Sequence, residues 1–183
     1  MGTDQNKTNT LEIKQTFLSN AISDMSTYIQ LADTKVSIIM AAVVAILVGA
    51  ATCYEPIGIA VANIVPCSWL GVLFIIFALL CAISVVLVFL FGILTVRGHS
   101  SVINYKSKWF LPKSTKEYSF DEFWNDVHAM TDDDIIKNMT AELYKLNDIN
   151  RQKMKTLKWT LLSFSSVLIT MASIGAIFLI NTI

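Results

Sequence analysis

Six polar side chains in two short phrases have the chemistry of an anion or nucleotide site: Asp33 and Lys35 in LADTK, and Asn147, Asn150, Arg151 and Lys153 in LNDINRQK. Cationic groups can hold a phosphate, amide side chains can read the edge of a base, and a carboxylate can accept from that base. The same residues also have an architectural use. Asp33 can pair with Lys153 or Arg151, a seam Asn can fix register and oligomeric state, and Lys35 can anchor a helix at a membrane surface. Both uses are compatible with the residue types.

Catalysis is a poor fit. The chain has no G-x-S-x-G, no H-E-x-x-H and no Gly-rich phosphate loop, and its two His residues, His99 and His128, are far apart. No enzyme activity, catalytic residue, metal or cofactor is therefore expected. His128 with Asp132, Asp133 and Asp134 invites a metal reading. The rival reading is a helix start in which Thr131 is the N-cap and the three acids face the positive end of the macrodipole. Between residues 98 and 119, Lys residues alternate with Tyr105, Trp109, Phe110 and Tyr118. That mixture suits either a phosphate with a stacked base or an anionic headgroup layer. A nucleic-acid polymer is not expected as a partner.

The elements that must position these groups are dominated by residues 68–96, a run without any Lys, Arg, Asp, Glu or His. About 20 apolar residues of helix cross a bilayer core, and a soluble core helix would keep a polar face. Residues 36–52 and 159–180 are also free of charge, and a charge at mid-bilayer costs about 2.5–3.5 kcal/mol. With 54% hydrophobic and 15% charged residues, the chain is too apolar for an ordinary soluble domain. The reading is an all-α, three-span membrane protein whose partner is the lipid bilayer. All 14 Lys and Arg residues lie before the first span or between the second and third. The positive-inside rule then places the N-terminus and the long loop in the cytoplasm and the C-terminus outside.

The expected organisation is an N-terminal helix over 1–35, two spans with a short outer turn over 36–96, a cytoplasmic loop and stem over 97–158, and the third span over 159–183. Residues 1–10 are polar and read as a frayed arm. Leu11, Leu18, Met25 and Ala32 then recur every seven residues, widened by Ala21, Ile22, Tyr28 and Ile29. No Pro or Gly separates this helix from the first span, so one continuous helix is predicted. The outer turn, with Pro56, Gly58 and Pro66, is bracketed by Cys53 and Cys67, which either form a disulfide or stay as free thiols. Ser119 and Glu122 make a capping box for a short helix over 120–130, predicted to pack as a lid through Phe120, Phe123, Trp124 and Val127. Ile136, Met139, Leu143, Leu146, Asn150, Lys153 and Leu157 form a seam with a polar break. Extensions of the first and third spans thus form a cytoplasmic helical stem that brings Asn150, Arg151, Lys153 and Lys155 level with Asp33 and Lys35.

LADTK at the first span and ELYKLNDINRQKMKTLKW leading into the last, joined to three spans, resemble the transmembrane effectors of the Pycsar antiphage systems. The likeness runs from about Leu11 to Ile180. It implies a bacterial inner-membrane effector that responds to a cyclic pyrimidine nucleotide, cyclic CMP or cyclic UMP, by assembling as a homo-oligomer and impairing the membrane. It carries over a ligand role for Asp33 and Lys35, and for Asn147, Asn150 and Lys153. The competing reading is a structural or channel-like membrane subunit whose stem only mediates oligomerisation.

Overall fold

The computed structural model describes residues 2–64, 69–97 and 119–182. Of these, 96% are helical, and no strand occurs among them. The helices are α1 (Gly2–Thr52), α2 (Tyr54–Ile64), α3 (Trp69–Val96), α4 (Phe120–His128) and α5 (Asp132–Thr182). Segments within α1, α3 and α5 are long and apolar enough to cross a membrane. The length of α1 and α5 follows from composition. Neither contains Pro, and their glycines, Gly2, Gly49 and Gly175, lie near the helix ends.

Two compact units divide the chain. One comprises residues 1–30 and 99–152, and the other comprises 31–98 and 153–183. In the first, Leu18 of α1 and Met139 of α5 are buried. The half-buried positions on this part of α1 are Leu11, Gln15, Ala21, Ile22, Met25, Ser26 and Ile29, which with Leu18 keep one broadened stripe inward at three- and four-residue steps. Tyr28, expected to widen that stripe, is exposed. On α5 the seam is broader and more polar than its apolar spacing predicts, because Asn138 and Glu142 are buried beside Met139. Asn138 is accommodated by donating to the Asp134 carbonyl at 2.8 Å.

The starts of α4 and α5 are both capped. The Ser119 hydroxyl accepts from the Glu122 N–H at 3.2 Å, and the Ser119 N–H donates to the Glu122 carboxylate at 2.9 Å. Thr131 and Asp134 repeat the arrangement at α5, with the Thr131 hydroxyl donating to Asp134 Oδ2 at 2.7 Å and accepting from the Asp134 N–H at 3.3 Å. These contacts make Thr131 the N-cap and Asp134 its partner, with Asp132 and Asp133 in the same first turn. The helix α4 is no lid. Phe120, Trp124 and Val127 are exposed and only Phe123 is half-buried. Its aromatics cluster along their own face, with Phe120 6.5 Å from Trp124 and Trp124 stacked 6.0 Å from His128.

In the second unit, Ile39 and Val43 of α1, Val88 of α3 and Val167 of α5 form one core cluster, with Cys81, Val85, Phe89 and Phe164 against it. The buried positions of α3, Gly71, Ser84, Val88, Gly92 and Thr95, fall on one stripe, while most of its large side chains point outward. Lipid is as apolar as Leu, so such a bundle is held by close packing rather than by escape from water. Gly92 shows this packing, since a Cβ there would stand 2.9 Å from Met40 Sδ.

Two segments read as irregular are helical. Residues 2–10 extend α1, because adding a turn to an existing helix avoids the unfavourable nucleation step. The outer turn contains α2, in which Pro56 occupies the first turn, where a missing N–H breaks no intrahelical bond. Pairing of Cys53 with Cys67, and the readings placed on His99, Tyr105, Trp109, Phe110 and Tyr118, fall outside the described residues.

Candidate functional site

In the second unit, Lys153 and Asp33 form a two-pronged contact, with Lys153 Nζ donating to Asp33 Oδ1 at 2.6 Å and to Oδ2 at 2.7 Å. Only 7% of the Lys153 side chain is exposed against 36% of Asp33, so the cation is nearly withdrawn from solvent while the carboxylate keeps access to it. An ammonium in that position needs a charged partner, since leaving it alone in an apolar setting costs several kcal/mol. The chain fixes both residues on helical backbone. The Asp33 carbonyl accepts from Ser37 Oγ at 3.0 Å, and the Lys153 carbonyl accepts from Thr156 Oγ1 at 3.0 Å. Beside the pair, Ala32, Val36 and Leu157 form a buried cluster with Met40 against it. The pair therefore joins α1 to α5 where their charge-free runs begin. Lys35, two residues from Asp33, is exposed.

Above this pair in the same unit, the hydroxyls are satisfied without disturbing the bundle. Thr95, Thr160 and Thr170 are buried and donate to carbonyls of their own helices. Ser84 of α3 and Ser166 of α5 share a hydrogen bond between helices at 2.8 Å.

The remaining candidates belong to the first unit and to a single helix. Asn147, Asn150 and Arg151 line a groove of about 350 Å³ on α5 together with Tyr144 and Asp148. Arg151 is 83% exposed and donates through Nη2 to Asp148 Oδ1 at 3.0 Å, while Gln152 Nε2 donates to the other oxygen at 3.0 Å. Asn150 Oδ1 is buried and has no hydrogen-bond partner among the described residues. The six candidates thus form two sets. Asp33 and Lys153 are joined, with Lys35 exposed nearby in sequence, and Asn147, Asn150 and Arg151 line the groove.

Three residues escaped sequence reasoning. Tyr144 and Asp148 complete the groove, and Glu142 is buried with Oε2 unpartnered among the described residues. The spacing of Tyr144, Asn147 and Arg151, at i, i+3 and i+7, was available as a signal for one face. Nothing in the apolar pattern marks Glu142.

No curated protein and no solved structure matches the chain. The family described as Pycsar effector protein domain matches residues 17–180, which takes in the Asp33–Lys153 pair, the α5 groove and the three apolar segments. The chain therefore belongs to the Pycsar effector family and is, with that family, an effector of antiphage defence.

Proposed function

We propose that this protein is a non-enzymatic effector of the bacterial inner membrane that answers a cyclic nucleotide, cyclic CMP or cyclic UMP, by oligomerising and impairing the bilayer. Its N-terminus and long loop lie in the cytoplasm and its C-terminus outside, in accord with the distribution of its 14 Lys and Arg residues. The observation that carries the reading is the Asp33–Lys153 pair, with both contacts at or below 2.7 Å. It is a polar clasp between the two helices that carry both an apolar span and a polar extension. A clasp of this kind is a two-state element. A ligand that binds better when it is open shifts the population toward the open form and frees the spans to repack with those of other copies.

The test is expression with a nucleotide cyclase while membrane potential and growth are recorded. Depolarisation should require both proteins, and Lys153→Met should alter the response without reducing the amount of protein in the membrane. Equal depolarisation with and without the cyclase would remove gating. A fixed oligomer by crosslinking, indifferent to nucleotide and harmless to cells, would favour the structural subunit instead.

A further inference from the structure

We infer that the groove on α5 is a mononucleotide-binding face, with Tyr144 as the stacking platform for the base and Arg151 as the phosphate ligand. The inference rests on the proposed response to a nucleotide and assigns residues to it. Tyr144 is 65% exposed, a state in which a large aromatic ring gains from being covered. Asn147 follows it by three residues and Arg151 by seven, so all three share one face over roughly 10 Å of helix at 1.5 Å per residue. That length suits a base at one end and its phosphate at the other.

The electrostatics agree with the assignment. Arg151 meets Asp148 as an exposed i, i+3 pair, a contact worth little in water, so its guanidinium is held in place yet easily recruited by a phosphate that offers a bidentate contact. Asn147, exposed on the same face between Tyr144 and Arg151, offers an amide donor and acceptor at the groove for the edge of a base. Aromatic stacking, amide hydrogen bonding and a guanidinium together recognise a nucleotide better than they recognise inorganic phosphate or an apolar molecule. Lys153, the cation of the clasp, is two residues from Arg151 on the same helix.

The experiment is calorimetric titration of the purified full chain in detergent with cyclic CMP, cyclic UMP, cyclic AMP and inorganic phosphate. The expected result is binding of at least one cyclic mononucleotide and not of phosphate alone. Tyr144→Ala and Arg151→Ala should each weaken it about tenfold or more, while Tyr144→Phe, which keeps the ring, stays within about twofold of the unaltered chain. Nucleotide binding that both alanine variants leave unchanged overturns the groove while leaving nucleotide sensing intact. Absence of binding by the unaltered chain overturns direct sensing and the groove together.

Discussion

The helices α3 and α5 both belong to the same bundle, yet α3 buries only two hydroxyls, Ser84 and Thr95, whereas α5 also buries a charge. The most apolar stretch of α3 has a mean hydropathy of 3.3, with a buried stripe drawn mostly from small residues. The corresponding value for α5 is 2.0, and α5 buries Lys153, Thr160, Ser163 and Thr170. In lipid, polar groups face protein and apolar groups face outward, so α5 carries its chemistry inside while α3 chiefly supplies a surface to pack against. The contrast teaches that hydropathy finds the anchor, whereas the helix that carries the inter-helix ion pair is the one whose polar atoms need partners.

The sharpest way to break the contrast is to give α3 the charge it lacks. Val88→Asp should cost about 2.5–3.5 kcal/mol of insertion free energy from the charge alone, read as a protease-accessible, non-inserted fraction. The next largest effect should come from removing the partner of the charge that α5 tolerates. Asp33→Ala should lower stability in detergent by about 2–3 kcal/mol, and Lys153→Met in the same chain should recover part of it, because the unpaired ammonium is then gone. Equal losses in the single and double variants would show that the clasp contributes through shape and not charge. Ser84→Ala removes a bond between α3 and α5 and should cost about 0.6 kcal/mol by thermal unfolding. Thr160→Val should cost less still, since its hydroxyl serves only its own helix.

Much of this architecture is legible in the sequence, for reasons that particular residues make plain. The absence of charge over 68–96 and 159–180 announces spans because bilayers penalise charge heavily. Leu11, Leu18, Met25 and Ala32 announce a packed helix, and all four do lie in the interior or at its edge, with Leu18 and Ala32 buried. Asp33 and Lys153 could be paired by levelling two helices against the membrane, with Arg151 as the rival, and the side-chain contacts decide for Lys153. Other features are illegible for equally physical reasons. Pro56 and Gly58 signal a turn by type, yet Pro in a first helical turn is compatible with α2. Glu142 and Asn138 look like solvent-facing residues, because burial of polar groups depends on neighbours that spacing does not name. The groove on α5 was half visible, as amides and a guanidinium, but Tyr144 had no apolar periodicity to draw attention to it.

The contact between Gly92 and Met40 has an evolutionary corollary. An added methyl at residue 92 would press on the end of an unbranched thioether, which can swing aside, so Gly92→Ala should be mild whereas a branched side chain there would wedge α1 away from α3. Bulk at one site can thus be traded for bulk at the other. Shortening Met40 should rescue an enlarged residue 92, and family members that have lost this glycine should carry a smaller neighbour across the gap.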